Sequence, residues 1–513
     1  MAPSSSRLAA WRAPALALGA GALAVLAFAP FGWYLLAPLA LALLYEALRG
    51  RRGAGAFGIG WAFGLGLMGL GVFWIRISMN QFGNMDAWAA NLLAGLFIAV
   101  VALYYGLAGW LIARLDRGPA WVGPLLALPG AWVLFEWLRG WLFTGFPWLA
   151  IGYSQVDGPL AGFAPLVGVY GLGLVVAVAG GLLWVATLGA QGRPPWARWG
   201  ALAALALLYV VGAALAPIPW SEARGAPLRA AVLQGNVPQS LKWDESARLP
   251  TIENYIDLTI EHLDNDVLVW PETALPDFLD RLREPLIEPL AERLREEGVD
   301  LVFGVPVRDA ARDAYYNGLA SIGTAEGLYY KRHLVPFGEF LPFRPWLGPI
   351  VEWFEVPMSD FSRGPMARPL IQVDGLPVGV SICYEDAFPT ELGQALPEAA
   401  YLINVSNDGW FGDSLAPHQH LQIARMRALE NARPLLRATN TGISAIIDYR
   451  GRLLGIVPAF ERGAFGAAIQ PRSGATPFVR LGNVPAVALA TLLLAAAAFL
   501  AGRRPGTPPG RAG

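Results

Sequence analysis

Three short segments of this chain carry side chains that could make and break an acyl bond. Val269-Trp270-Pro271-Glu272-Thr273 places a carboxylate just after an apolar run, and Pro271 ends the ladder and turns the chain so that Glu272 is presented. Tyr330-Lys331-Arg332-His333-Leu334-Val335-Pro336-Phe337-Gly338-Glu339 carries an ammonium and a second carboxylate, and Val380-Ser381-Ile382-Cys383-Tyr384-Glu385-Asp386 ends an apolar run on a thiol. A nucleophile, a carboxylate base and a cation are the inventory for covalent acyl transfer. Singly, each has a plainer reading. A lone cysteine is most often a small buried hydrophobe, Glu272 could cap a turn, and Glu385 could serve only a salt bridge. The counts add weight: Cys383 is the sole cysteine, and Lys242 and Lys331 are the only lysines among 38 basic residues. In a chain that uses arginine nearly everywhere, a retained lysine points to a need for a compact, titratable ammonium, with chance survival as the alternative.

These residues need elements to hold them. From Leu228 onward, short β-type runs alternate with amphipathic helices. Leu228–Leu233, Val267–Trp270, Leu301–Val305, Gly318–Ile322, Val378–Ile382 and Tyr401–Val405 are predicted strands, and Ser246–Leu263, Pro276–Glu297 and His418–Ala432 are predicted helices. That alternation predicts a layered α/β domain. Its sites belong at strand ends, where the candidates fall. His418-Gln419-His420 invites a metal reading, but the i, i+2 spacing at a helix start turns the two rings to different faces. No metal site is predicted.

The rest of the chain is of another kind. The 513 residues are 55% hydrophobic and 15% charged, against about one quarter charged in ordinary soluble proteins. Disorder and a disulfide scaffold are excluded. A formal net charge of −1 with no dominant basic patch argues against nucleic acid as a partner. Residues 221–480 hold 34 acidic and 24 basic side chains, and the remainder holds 5 and 14. That remainder carries apolar runs near 13–29, 33–48, 57–77, 88–112, 121–138, 166–188, 201–217 and 484–501, most approaching the roughly 20 residues that cross a bilayer. Arginines fall in alternate loops: Arg7 and Arg12, then Arg49, Arg51 and Arg52, then Arg114 and Arg117, then Arg193 and Arg198, then Arg503, Arg504 and Arg511. The positive-inside rule then places both termini in the cytoplasm and the α/β domain outside, with Arg139 as the main exception. Glu136, close to a span end, is the main candidate for an intramembrane ionisable group.

The three chemical segments, Asn404-Val405-Ser406-Asn407-Asp408-Gly409-Trp410-Phe411-Gly412 and Arg437-Ala438-Thr439-Asn440-Thr441-Gly442 together resemble the nitrilase/carbon–nitrogen hydrolase superfamily and its Glu–Lys–Cys triad. With eight spans, Gln234-Gly235-Asn236-Val237-Pro238-Gln239-Ser240-Leu241-Lys242-Trp243 and Phe146-Pro147-Trp148, the likeness extends over nearly the whole chain to the membrane-embedded apolipoprotein N-acyltransferases, with no departure at the triad. The resemblance implies a multi-pass α-helical membrane domain of about eight spans plus an α-β-β-α sandwich. The expected domains are 1–219, 220–482 and 483–513, in a bacterial inner membrane with the catalytic domain on the periplasmic side. It also implies that Glu272 takes the proton of Cys383, that Lys331 stabilises the oxyanion, and that the acyl group passes through a thioester. The implied partners are a phospholipid donor and the N-terminal diacylglyceryl-cysteine of a lipoprotein, and no cofactor is implied. Glu339 is expected to orient Lys331, Tyr384 and Glu385 to shape the acyl site, and Trp243 and Trp148 to support substrate; Lys242 receives no role. Packing is an equal alternative for these supporting residues. The aromatics Phe337, Phe340, Phe343, Trp346, Trp353, Phe354 and Phe361 suggest an arm dipping into the membrane interface. The competing readings are a membrane-anchored amidase or nitrilase, and an inactive domain assisting a membrane synthase.

Overall fold

The sequence holds two kinds of hydrophobic pattern, and each builds its own core. The computed structural model describes residues 5–345, 360–365 and 368–502. The described residues divide into two compact units, one from 5–73, 93–217 and 483–502, the other from 74–92 and the described part of 218–482. Trp346, Trp353 and Phe354 of the expected aromatic arm lie outside the described residues.

The first unit is helical: α1 Ser5–Val25, α2 Leu36–Leu48, α3 Gly53–Gly71, α4 Ala87–Leu115 (in this unit from Leu93 on), α5 Leu128–Arg139, α6 Ala164–Ala186, α7 Pro195–Leu215 and a C-terminal helix Val484–Gly502. The sequence predicts eight spans, and each predicted position holds a helix. Five helical runs are long and apolar enough to cross a membrane by length and composition: Gly53–Gly71, Ala87–Leu115, Pro159–Ala186, Pro195–Leu215 and Val484–Gly502. Trp11–Val25 and Leu36–Leu48 are shorter apolar helices, and α5 has 12 residues behind a π-turn at Gly123–Ala127. With no water to drive apolar helices together, close backbone approach between small residues holds them. α1 and α3 show it. A Cβ on Gly21 would stand 2.0 Å from the Phe63 carbonyl oxygen, and one on Gly66 would stand 2.1 Å from that of Leu18.

Two buried ionisable side chains close α5. Glu136 Oε1 accepts the Ile151 N–H at 2.7 Å, while Arg139 Nη1 donates to the carbonyls of Phe146 and, at 2.7 Å, Trp148. Main chain that leaves regular helix here needs such partners. Arg139 broke the loop-charge pattern because it is an internal side chain, 1% exposed, rather than a loop cation.

The second unit is built on two six-stranded sheets, with a short antiparallel pair of Glu222–Ala223 and Arg472–Ser473 beside them. The strands of the two large sheets are β1 Leu228–Gln234, β2 Val267–Val269, β3 Asp300–Asp309, β4 Ala314–Ile322, β5 Gly327–Tyr330, β6 Leu370–Val373, β7 Leu376–Ile382, β8 Leu402–Ser406, β9 Leu435–Thr439, β10 Ser444–Ile447, β11 Leu453–Val457 and β12 Gly463–Ile469. One sheet runs β12-β1-β2-β3-β4-β5 and the other β11-β10-β9-β8-β7-β6. The central pairs β1/β2, β2/β3, β7/β8 and β8/β9 are parallel, and the outer pairs are antiparallel.

Alternation sorts each strand's side chains between two cores. Ala230, Val232, Val267, Val269 and Val302 face Val378, Val380, Ile382, Ile403 and Val405 between the sheets. The alternate residues Ala231, Leu233, Leu268 and Phe303 pack under helices α8 Glu245–Ile260 and α9 Glu288–Glu297. On the far side, Leu402, Leu435, Ala445 and Ile447 pack under α10 Ala416–Asn431. The result is the expected α-β-β-α sandwich. The helix predicted over Pro276–Glu297 is broken: a turn at Leu279–Leu282 and a π-turn at Arg283–Ile287, which contains Pro285, precede α9. Residues 74–92 dock on this unit. Trp74 Nε1 donates to Gln419 Oε1 at 3.2 Å, Ser78 Oγ donates to the Trp410 carbonyl at 2.7 Å, and the Trp74 and Phe411 rings meet at 4.7 Å.

Candidate active site

Glu272, Lys331 and Cys383 each stand just past a strand end, after β2, β5 and β7. The Trp270 N–H still bonds the Val302 carbonyl at 2.8 Å, and Pro271 then turns the chain. That turn presses on β3, where a Cβ at Gly304 would lie 2.6 Å from the Glu272 Cα, so only glycine fits beneath the carboxylate. Lys331 is tied at both ends: its N–H donates to the Asn317 carbonyl at 2.9 Å, and its carbonyl accepts from Gly364 N–H at 2.8 Å. Cys383 adopts φ +52°, a left-handed conformation costly for a side-chain-bearing residue, at the start of the 3-10 turn Cys383–Ala387.

The side chains converge. Lys331 Nζ lies 2.9 Å from Glu339 Oε1 and 3.6 Å from Glu272 Oε1. Asn317 Nδ2 donates to the same two oxygens, at 2.7 Å to Glu272 and 2.9 Å to Glu339. Glu339 Oε2 accepts the Val335 N–H at 2.8 Å, closing the loop that carries it. Burial works against the Lys331 ammonium, but Glu339, Glu272 and Cys383 outweigh it and hold the group charged. For the Cys383 thiol, burial and the Glu272 carboxylate push the pKa well up, against the pull of Lys331 and a hydrogen bond with Ser406. Cys383 therefore rests as a thiol, and any step that used it as a nucleophile would first have to remove its proton.

The supporting residues separate by role. Glu385 is a buried organiser: Oε1 accepts from Tyr329 Oη at 2.9 Å, Arg332 N–H at 2.7 Å and His333 N–H at 3.1 Å, and Oε2 accepts Ile382 N–H at 2.8 Å. It thus stitches the Lys331 segment to the residue before Cys383, at the cost of a pKa raised by burial. Tyr384 packs edge-on against Phe388 at 5.0 Å and His333 at 5.9 Å. Trp243 is 60% exposed. Trp148 belongs to the first unit, where its ring is buried against Phe146 and its carbonyl serves Arg139.

Two features escaped the sequence reading. Asn317 is one: a polar residue within the apolar strand Ala314–Ile322, which was the available signal. The other is a fully buried quartet behind Cys383. His420 Nδ1 meets Asp408 Oδ1 at 2.8 Å and its Nε2 meets Asp386 Oδ1 at 2.9 Å, while Arg437 bonds Asp386 at 3.2 Å and Asp408 at 2.9 Å. Two cations and two anions cancel, as buried charges must. Asp408 also accepts from Ser406 Oγ at 2.9 Å, so the quartet reaches the thiol through one hydroxyl. Asn440, from the second resembling stretch, brackets Val237 by accepting its N–H at 3.1 Å and donating to its carbonyl at 2.7 Å. It thereby anchors the loop that carries Lys242 and Trp243.

A family profile described as the apolipoprotein N-acyltransferase N-terminal domain matches residues 20–182, and the carbon-nitrogen hydrolase profile matches residues 229–478. The chain is 47% identical over 479 residues to the apolipoprotein N-acyltransferase of Methylococcus capsulatus, spanning 93% of this chain and 94% of that protein. It is 41% identical over 495 residues to that of Nitrosomonas europaea, spanning 95% and 98%. Among solved structures, a carbon-nitrogen hydrolase from Helicobacter pylori aligns at 17% identity and a TM-score of 0.37, over 54% of this chain and 96% of that one.

Proposed function

The chain belongs to the apolipoprotein N-acyltransferase family, and on that premise we propose how its site carries out the N-acylation of apolipoproteins. Cys383 is the nucleophile, Glu272 the general base and Lys331 the oxyanion donor. As Cys383 Sγ attacks the ester carbonyl of a phospholipid, Glu272 accepts its proton. The oxyanion takes hydrogen bonds from Lys331 and from a main-chain N–H just after Cys383. The proton passes from Glu272 to the departing lysophospholipid oxygen and leaves a thioester. The α-amino group of the lipoprotein's diacylglyceryl-cysteine then attacks. Its pKa of about 8 leaves a useful neutral fraction near pH 7. Glu272 receives the amine proton and returns it to Sγ as the amide forms. The kinetics are ping-pong.

The observation that carries this reading is the shared grip on Glu272 and Glu339 by Lys331 and Asn317, beside a strand-end cysteine in a left-handed conformation. Glu339 holds Lys331, and Glu385 fixes the approach of its segment to Cys383. Exposed Trp243 and buried Trp148 are the proposed supports for the lipid substrates. The alternate-loop arginines support eight spans, cytoplasmic termini and an outward-facing catalytic domain of residues 220–482.

Intact-mass spectrometry of the purified protein with phospholipid tests the mechanism. An acyl mass on Cys383, released by hydroxylamine and lost in Cys383→Ala, is expected. Free fatty acid without any adduct would instead mark a hydrolase.

A further inference from the structure

Both lysines of this chain are buried beside the same residue. Lys331 Nζ faces the Glu272 carboxylate at 3.6 Å, and Lys242 Nζ donates to the Glu272 main-chain carbonyl at 3.0 Å. Lys242 is 4% exposed and Lys331 1%. We propose that Lys242 is a positioning residue of the acyl-transfer site, which fixes the main chain of the base and supplies a second positive charge to the Glu272–Cys383 pair. The inference rests on the Glu–Lys–Cys reading above and gives a role to a residue that reading leaves idle.

The loop shows that the side chain is held. Residues 236–243 lead from β1 to α8. They are pinned by Asn440 on both polar atoms of Val237, by Asn407 Nδ2 donating to Gln239 Oε1 at 2.7 Å, and by Asp244 Oδ1 accepting Ser246 N–H at 2.8 Å as the helix cap. A bond to a carbonyl alone could come from a neutral amide, with no charge to desolvate. The chain bears arginine at its 36 other basic positions and an ammonium here.

Charge accounts for that choice. Glu272 and Cys383 are the titratable groups that act on Lys242. Behind them stand Lys331 on both, Glu339 on Lys331, and Asp408 on Cys383. Asp408 is neutralised within its own quartet. With Glu272 and Glu339 ionised, Lys331 charged and Cys383 a thiol, these four groups carry one net negative charge, Glu385 being held apart by four hydrogen-bond donors of its own and opposed as an anion by burial. Moving the thiol proton to Glu272 leaves that total unchanged, and so does the oxyanion that replaces the thiolate. The Lys242 ammonium brings the total to zero in every one of these states. Burial lowers its pKa to about 8, against the pull of Glu272 and Cys383. The neutralising charge is therefore lost just above physiological pH.

The test is the rate of acyl-Cys383 formation by the full-length protein in detergent with phospholipid alone, from pH 5.5 to 10. Leaving out the acceptor removes its own amine titration. In the wild type the rate should fall on the alkaline side with an apparent pKa near 8. Lys242→Met should be about 10- to 100-fold slower at pH 7, because an uncompensated negative charge disfavours both thiolate and base. Its acid limb should move to higher pH and the fall near pH 8 should vanish. In Lys242→Arg the fall near pH 8 should vanish at any plateau rate, because guanidinium stays charged. A wild type without an alkaline fall overturns the inference and needs no variant to fold. So does a Lys242→Met profile of wild-type shape, whether at full rate or uniformly lowered. A wild type that forms no adduct on Cys383 instead overturns the triad reading itself.

Discussion

Replacing Asn317 by aspartate changes one atom's chemistry and almost no volume, so the fold has little to absorb. Asn317 Nδ2 sits 2.7 Å from Glu272 Oε1 and 2.9 Å from Glu339 Oε1. An ionised aspartate would place an oxygen at those distances from both. At an effective dielectric of about 20, each contact opposes ionisation by roughly 6 kcal/mol, about 4 pKa units as an upper bound. One of the three carboxyls will therefore hold a proton at pH 7, and whenever Glu272 holds it, no base faces Cys383. Thioester formation, followed by intact mass in the absence of acceptor, should fall at least about 100-fold at pH 7. The acid limb of its profile should climb toward the alkaline limb, leaving a low, narrow bell. Asn317→Ala removes the donor without adding charge and should cost about 10- to 100-fold with little movement of the acid limb. A wild-type rate and profile in Asn317→Asp would refute the claim that Glu272 must be ionised to act.

Lys331→Arg should lose about 10²–10³ in rate despite keeping its charge, because a planar fork cannot occupy a slot shared by two carboxylates and the oxyanion; wild-type turnover of a diacylated lipopeptide would show the role misassigned. His420 is held protonated well beyond the usual imidazole range, with a pKa raised to about 9: burial and Arg437 oppose the charge, and Asp386 and Asp408 overcome them. A group whose folded pKa is raised adds stability that is complete below its unfolded value near ~6.5 and is lost as pH rises through 9. The unfolding temperature of the wild type should therefore fall between pH 6.5 and 9.5, and His420→Gln should start lower and lack that fall; parallel curves for the two proteins would contradict the assignment.

Lys331 stood out as one of two lysines, whereas Glu272 and Cys383 drew attention because each follows a short apolar run, and such runs mark strand ends without any knowledge of pairing; the structure places all three just past strand ends. The β1, β2, β3, β4, β7 and β8 strands were visible for the same reason: they are central or deeply buried, so their apolar character is dense. The sequence reading missed β5, β6 and β9 to β12: β12 shows glycine and alanine rather than a hydrophobic pattern, and the buried β9 carries Arg437 and Thr439 where an apolar run was sought. Asn317 lies 45 residues from Glu272, and only the β3/β4 hairpin brings it there. His418 and His420 were weighed as a local pair, whereas the true partners of His420 come from the turn after β7 and the turn after β8, both of them shared with Arg437 of strand β9. Arg139 was counted as loop charge because one-dimensional counting cannot distinguish a cation in water from one spent on two carbonyls.

The elevated thiol of Cys383 has a consequence for what can attack it. Soft electrophiles and oxidants consume thiolates in proportion to their population. A cysteine whose burial and carboxylate neighbour hold it protonated presents few of them. Alkylating agents and peroxide should therefore spare this residue, while molecules that bring an acyl carbon and occupy the donor's place become its substrates. On the proposed mechanism the resting protonation state guards the site, and a covalent ligand should do better by imitating an ester than by merely seeking a sulfur.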